Sequence, residues 1–280
     1  MRIMPAAKLY VVATPIGNLG DISARALEVL AGADLVAAED TRKTRVLLSR
    51  HGLSPSMITL HEHNEERQTP ALVDRLLGGE AVALVSDAGT PLISDPGYRL
   101  IARAVEAGID VVPIPGPSAV TAALSVSGLP TDRFVFEGFL PARSEARLKR
   151  LRRLASEQRT LVLFESSHRI EACLADLARI FGADRRLALC RELTKQFETI
   201  LRGTAGEIHD RVREEPDQRK GEFVLVVEGQ SDDRSGGMTD ALTLALALKE
   251  SVGTSQAARI AARIHGVPRR ELYRALDSST

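Results

Sequence analysis

The stretch Ala83-Leu84-Val85-Ser86-Asp87-Ala88-Gly89-Thr90-Pro91-Leu92-Ile93-Ser94-Asp95-Pro96-Gly97 decides how the rest of the chain is read. It opens as an apolar run of strand length, the pattern of a strand buried on both faces. Two turns punctuated by glycine and proline follow, with Asp87 and Asp95 at their ends. Beyond them Leu100, Ile101, Ala104 and Val105 recur at helical spacing, and Pro96 suits a first helical turn. In an open parallel sheet, the loop joining a strand's carboxyl end to the next helix is where a small ligand sits. Gly89 allows close backbone approach there, and the two aspartates can accept hydrogen bonds from a ribose or an amine. An ordinary βα turn with a helix cap would look the same in isolation, so the neighbouring segments decide between the two.

Upstream, Lys8 to Ala13, Leu35 to Ala38 and Met57 to Leu60 read as strands, with helices at about Ser23 to Leu30 and Ala71 to Leu77. Downstream, Val111 to Ile114 is a strand that runs into Pro115-Gly116-Pro117-Ser118 and a helix from Ala119. Short strands alternating with helices imply a parallel α/β sheet with right-handed crossovers. After Gly128-Leu129-Pro130 a second set begins, with strands at 134–139, 160–165, 187–192, 198–201 and 223–227 and helices at about 143–154, 169–180 and 203–213. That set implies a second α/β domain with a mixed sheet. The polar run 230–237 reads as a flexible linker. Beyond it, Ala241 to Lys249 is helical, Thr254-Ser255 caps a helix from Gln256 to His265, Gly266 stops it, and Pro268 opens a last helix to Leu276. Three short helices with a glycine turn before the third suggest a helix-turn-helix unit. The expected domains are 1–117, 118–230 and a tail at 239–280.

Composition narrows the function. The 280 residues carry 37 basic and 37 acidic side chains, so any nucleic-acid surface has to be local. Tryptophan is absent and aromatics make up 4%, which argues against ring-stacking platforms as the main theme. Cys173 and Cys190 both lie in apolar runs, the pattern of reduced thiols in a cytoplasmic protein. No apolar run approaches the length of a membrane span. Two local basic patches stand out: 143–159 is net +5, and Arg259, Arg263, Arg269, Arg270 and Arg274 dominate the tail. Either could be a solvated helix face. A basic face on a helix-turn-helix-like unit favours phosphate contact, and Arg143, Arg147, Lys149, Arg263, Arg269, Arg270 and Arg274 are the candidates.

Several familiar signatures fail. The first loop has Gly17 and Gly20, with Glu39 where a ribose-binding acid would stand, but G-x-G-x-x-G is absent and Pro15 fills the turn. Ser166 and His168 lack the G-x-S-x-G elbow of a hydrolase. His61 and His63 stand two apart without a thiolate, a third histidine or an HExxH helix, so substrate hydrogen bonding or packing suits them better than metal binding. Glu39-Asp40-Thr41-Arg42-Lys43 puts carboxylates and cations at a strand's carboxyl end, either as a surface ion-pair cluster or as crevice chemistry.

Taken in order, "LYVVATPIGNLGDIS", "AEDTRKTRVLL", "HEHNE", "LVSDAGTPLISDPG", "PIPGPSAVTAALSVSGLP", "FEGFLP", "FESSHRI", "RELTKQFE" and "KGEFVLVVEG" resemble the tetrapyrrole methylase superfamily, the class III S-adenosylmethionine-dependent methyltransferases, in its ribosomal RNA branch. The resemblance spans essentially the whole chain, tail included. It implies two α/β domains with S-adenosyl-L-methionine folded in the cleft between them, no metal, and a homodimer. It further implies 2'-O-methylation of a cytidine ribose in the decoding centre of 16S ribosomal RNA, in or near the small ribosomal subunit. Carried over residue by residue, the donor site falls on Pro15 and Gly17, on Asp87, Ala88, Gly89, Thr90, Pro91, Leu92, Ile93, Ser94 and Asp95, and on Pro117, Ser118, Ala119 and Thr121. The second domain adds Phe164, Glu165, Gly221 and Phe223. A ribose hydroxyl is a poor nucleophile and gains from a base or a stabilising cation. Glu39, Asp40 and His63 are candidates for the base, and Arg42, Arg191 and Lys195 for the cation. A porphyrinoid methylase acting on a small acceptor is the rival reading, and a non-enzymatic RNA-binding module is a third.

Overall fold

The computed structural model describes residues 8–230 and 234–278, which form two compact units, 1–229 and 230–280. In the first unit, five parallel strands make one sheet in the order β3-β2-β4-β1-β5: β1 Leu9–Val12, β2 Leu35–Ala38, β3 Met57–Thr59, β4 Val82–Val85 and β5 Val111–Ile114. The central position of β4 explains its uninterrupted apolar run. Its alternate residues pack into different cores: Ala83 and Val85 face Val12, Leu30 and Leu48, while Val82 and Leu84 face Leu60, Leu72 and Leu100.

The helices of this half are α1 Ala24–Gly32, α2 Thr41–Arg50, α3 Glu65–Leu77 and α4 Tyr98–Glu106. Three of them differ from the sequence reading. The charged 39–43 cluster opens α2, whose Asp40 side chain accepts the Arg42 N–H at 2.9 Å and whose Thr44, Leu47 and Leu48 are buried. Helix α3 starts at Glu65, six residues early, and carries Pro70 inside it. Near the helix start that proline removes only the bond to the Glu66 carbonyl. Pro96 lies outside α4; Gly97, at φ +123°, makes the entry turn. The cap of α4 is supplied from α3: buried Glu65 accepts the Arg99 N–H at 2.7 Å and the Leu100 N–H at 3.2 Å. One carboxylate thereby satisfies two otherwise orphaned donors and meets the positive end of the helix dipole.

The second sheet is mixed, as expected, in the order β6-β7-β10-β8-β9: β6 Phe134–Phe139, β7 Thr160–Ser166, β8 Arg186–Arg191, β9 Thr199–Thr204 and β10 Glu222–Val227. β6 and β7 are parallel, and the other three pairings are antiparallel. One face is covered by α6 Ser144–Leu154, α7 Ile170–Phe181 and α8 Ala205–Glu214, the last closed by a Thr204–Glu207 capping box. The other face takes α5 Ala119–Ser127, with Ile16 from the loop after β1 packed against the same apolar cluster. Ile16 thus ties the first sheet's loops to the second sheet's core.

The second unit holds α9 Arg234–Val252, α10 Thr254–His265 and α11 Arg269–Ser278 around its own core of Ala241, Ala245, Ala258, Ala261, Leu272 and Leu276. Small residues let α9 and α10 approach closely. Of the expected linker, 231–233 lie outside the described residues, and helix occupies the stretch from Arg234. The cap of α10 also differs: Gly253, at φ +78°, is the N-cap, and Thr254 is already helical without a capping bond. Gly266 ends α10 in the left-handed conformation, as read from sequence. Among the described residues, no helix is long and apolar enough to cross a membrane.

Glu65→Ala should lower stability in urea by about 2 kcal/mol, because it orphans two backbone donors at the start of α4, that of Leu100 fully buried. Glu66→Ala, which removes only an exposed ion pair with Arg99, should stay within about 0.5 kcal/mol.

Candidate active site

Three loops leave the carboxyl edge of the first sheet and brace one another. Thr14 and Gly89 exchange backbone hydrogen bonds at 2.9 and 3.0 Å, and the Thr14 hydroxyl donates to the Ser86 carbonyl at 3.2 Å. Thr90 reaches the third loop by donating to the Pro117 carbonyl at 3.1 Å. Gly89 sits at φ +83°, where a side chain would be strained and would press on Ile16. Leu92 and Ser94 hold positive φ, at 75° and 70°, although neither is glycine. A second such pair, Glu192 at 51° and Thr194 at 65°, lies in the turn after β8. Residues held this way persist where the surroundings over-determine them, and they cluster at functional sites.

The strained segments meet across the molecule. A Cβ on Gly17 would collide with the Lys195 side chain and stand 3.0 Å from the Leu193 carbonyl, and one on Gly138 would stand 2.9 Å from Ser94 Oγ. Between them lies a cavity of 380 Å³. That volume is in the range of small-molecule sites. Ile16, Phe139, Phe164, Leu193 and Val224 make it mainly apolar, with Phe139 and Phe164 edge-to-face at 5.6 Å. Its charged lining is Asp95, Glu165, Lys195 and Glu222.

The acidic groups differ in their environments. Glu165 is buried; its Oε1 accepts the Ser166 N–H at 2.8 Å, while Oε2 lies 3.1 Å from the Arg169 guanidinium at an angle that makes no hydrogen bond. Burial pushes the Asp95 carboxyl up to about 6; Ser86 beside it works the other way, and the charges of Glu39 and Asp87 add to the rise. Burial opposes the Lys195 charge, but hydrogen bonds to Glu222 at 2.8 Å and Glu192 at 2.9 Å outweigh it, so its pKa is raised and it stays an ammonium. Burial pushes the Cys190 thiol, also on the cavity wall, up to about 11; both cysteines are free.

Of the residues expected at the donor site, Ala88, Gly89, Thr90, Ile93, Ser94, Asp95, Ser118, Ala119, Phe164, Glu165, Gly221 and Phe223 line the cavity. Pro15, Gly17, Asp87, Pro91, Leu92, Pro117 and Thr121 are not among its lining residues. Lys195 lines it, whereas Glu39, Asp40, Arg42 and His63 do not. Asp87 accepts the Asp40 N–H at 3.0 Å and pairs with Lys43 at 2.7 Å, and Glu39 accepts the Asp87 N–H at 3.1 Å. The Arg42 side-chain hydrogen bond holds the Asp40 carboxyl well below the usual carboxylate range. These groups lock two strand ends together. His63 lies in the turn before α3, its ring 6.0 Å from that of His61. Among the described residues, no three His, Cys, Asp or Glu side chains are grouped to hold a metal ion. Sequence reasoning missed Phe139, which stands at the end of a strand it had placed, beside Gly138, and that pairing was the available signal. Glu222 lies between Gly221 and Phe223, on the edge that the resemblance had implied.

The basic patches also sort by burial. Arg147 is a correction: it is buried and paired with Asp176 at 2.7 Å between α6 and α7, so it holds helices together and cannot reach a phosphate. Arg143 and Lys149 are exposed. In the tail Arg263, Arg269, Arg270 and Arg274 are all exposed, and three of them share a groove with Tyr273.

Comparison with known proteins agrees with this geometry. The family model of tetrapyrrole (corrin/porphyrin) methylases matches residues 8–209, and that of the RsmI C-terminal HTH domain matches 240–279. Ribosomal RNA small subunit methyltransferase I of Xylella fastidiosa (strain Temecula1) is 53% identical over 265 residues, covering 95% of this chain and 97% of that protein. The protein of the same name from Escherichia coli O157:H7 is 49% identical over 267 residues, covering 95% and 93%. Among solved structures, diphthine synthase (TM-score 0.59, 18% identity, 79% of this chain and 89% of that one) shares the fold. So does the cobalt precorrin-4 methyltransferase CbiF (TM-score 0.57, 21% identity, 79% and 94%). The chain belongs to the tetrapyrrole (corrin/porphyrin) methylases and, within them, to the family of ribosomal RNA small subunit methyltransferase I.

Proposed function

We propose that this protein is an S-adenosyl-L-methionine-dependent methyltransferase that methylates the ribose 2'-hydroxyl of a cytidine in the decoding centre of 16S ribosomal RNA. It works on the small ribosomal subunit in the cytoplasm, as a homodimer. The observation that carries this reading is one mainly apolar cavity, walled by loops from both sheets, in a chain whose own basic three-helix unit matches the C-terminal domain of its rRNA-modifying relatives.

The cavity suits the donor. Gly89 and Gly221 open its backbone at positive φ, Phe164 and Ile16 give apolar walls, and Glu165 keeps a buried oxygen without a hydrogen bond. Carboxylates of Glu165 and Asp95 in a low-dielectric wall favour a cationic ligand. Bound there, S-adenosyl-L-methionine supplies a methyl group already joined to a good leaving group. The protein's own part is positioning, exclusion of water and management of one proton. Lys195, held between Glu192 and Glu222, presents a fixed positive charge at the cavity edge, where it can stabilise charge developing on an attacking oxygen.

The rival is methylation of a small porphyrinoid, which the names of the distant structural neighbours suggest. A small acceptor needs no arginine-rich helical unit, whereas a ribose in RNA does. Its 2'-hydroxyl also distinguishes RNA from DNA.

Incubated with methyl-labelled donor, small ribosomal subunits should acquire label as 2'-O-methylcytidine; label appearing only in a corrin precursor would establish the rival. Removing residues 239–280 should weaken RNA binding by at least about tenfold at 0.1 M salt and flatten its salt dependence. Donor affinity should stay within about threefold, since a phosphate-binding unit contributes little to a small-molecule cavity. Equal losses of both would argue against a docking role for the tail. Lys195→Ala should cut turnover by more than about tenfold, as removal of a charge that stabilises the transition state does; retained turnover would leave positioning alone to explain catalysis.

A further inference from the structure

The chain has seven phenylalanines and no tryptophan. Phe134, Phe139 and Phe197 are exposed, and of these three only Phe139 lines the cavity. It is 55% exposed there. Burying an aromatic ring is among the larger gains open to a fold, so a ring left uncovered on a cavity wall points to a ligand that covers it.

A bulge in β6 aims this ring. Phe136 stands opposite Val162, Gly138 opposite Leu163 and Phe139 opposite Phe164, so Glu137 is an extra residue in the strand. Strict alternation would turn Phe139 away from Phe136, to the face that α6 covers. The inserted residue returns it to the face of Phe136. Glu137 takes the α6 side instead, accepting a hydrogen bond from Arg150 at 2.9 Å. Gly138 makes the bend at φ +63°, with Ser94 of the loop after β4 close against it. The outcome is a ladder of rings. Phe136 meets Phe164 edge-to-face at 5.0 Å, and Phe164 meets Phe139 in the same way at 5.6 Å. It runs from half-buried Phe136, packed on the α5 side of the sheet, to the open ring of Phe139.

We infer that Phe139 is the platform on which the base of the target nucleotide stacks, a positioning residue for the acceptor. The inference rests on the methyltransferase reading above. Methyl transfer needs the hydroxyl oxygen in line with the donor's carbon–sulfur bond, and the ribose is oriented through the base it carries. A base drawn out of its RNA stack loses its neighbours and regains that contact on an aromatic face. Depth separates the two ligands. Of the donor's expected contacts, Gly89, Glu165 and Phe223 are buried. RNA arrives from solvent and meets the open part of the cavity first, and Phe139 is the exposed aromatic residue of its lining.

The test uses the full chain with small ribosomal subunits and labelled donor. Phe139→Ala should lower kcat/KM for subunits about five- to a hundredfold, the range that loss of one base–aromatic stack gives. Phe139→Tyr and Phe139→Trp keep a flat face and should stay within about threefold of wild type, whereas Phe139→Leu, apolar but without a ring, should not. All four variants should bind S-adenosylhomocysteine within about threefold of wild type, since the stack removed belongs to the acceptor base. Because the chain has no tryptophan, Phe139→Trp also carries a single reporter. Incorporated as hydroxytryptophan, it can be excited apart from the tryptophans of ribosomal proteins. Its fluorescence should be quenched by small subunits and left unchanged by S-adenosylhomocysteine alone. Four results would overturn the assignment: Phe139→Ala within about threefold of an active wild type, Phe139→Leu as active as Phe139→Tyr, a loss of S-adenosylhomocysteine binding that accounts for the whole defect, or quenching by S-adenosylhomocysteine instead of by subunits. The last would put the ring on the donor's adenine. A wild type that methylates no RNA would end the broader reading and this assignment with it.

Discussion

Everything at the site depends on the loop after β4 touching three neighbours at once. It pairs with the first loop through Thr14 and Gly89, with the third through Thr90 and Pro117, and with the second sheet through Ser94 and Gly138. The first and last of these contacts use a glycine or a left-handed residue, Gly89 in one and Ser94 with Gly138 in the other, and close approach of this kind leaves no slack. The cavity is the space that remains when these contacts are satisfied. Its shape is therefore imposed by packing from both sheets rather than by any one loop, as a preorganised site requires.

Charge is distributed with the same economy. Behind the cavity, Glu39, Asp40, Asp87, Lys43 and Arg42 cross-link the ends of β2 and β4, with Arg42 paired to Asp40 and Lys43 to Asp87. On the second sheet, Glu192 and Glu222 hold Lys195, and Gly221 is the position that lets Glu192 come so near. Asp95 stands on the cavity wall without an ion pair among the described residues, and burial, with the charges of Glu39 and Asp87, raises its proton affinity. An isolated buried carboxylate is unfavourable, so proteins keep one chiefly where it has work to do.

The two units follow different construction rules. The larger buries leucine and valine on both faces of each sheet, and its one buried arginine on α6, Arg147, serves helix packing. The smaller is built on alanines that bring α9 and α10 together, leaving its arginines on the outside. Basic residues that look alike in a sequence therefore divide into structural and solvent-facing sets according to which helix face they occupy.

The sequence by itself determined the alternation of strands and helices, the buried central strand, the mixed second sheet and the glycine turn of the tail, because each of these is written in local periodicity or in residues beside a strand's end; most of the cavity's lining was implied by the resemblance of its loop motifs to the family. Tertiary structure decided the rest. Only the fold shows that Glu65 caps a helix 33 residues later, that Arg147 turns inward, and that Glu39 and Asp40 bind strand ends while Asp95 faces the cavity. The reason is physical: a carboxylate's task is set by which donors and charges stand within a few ångströms of it, and these come from segments dozens of residues away.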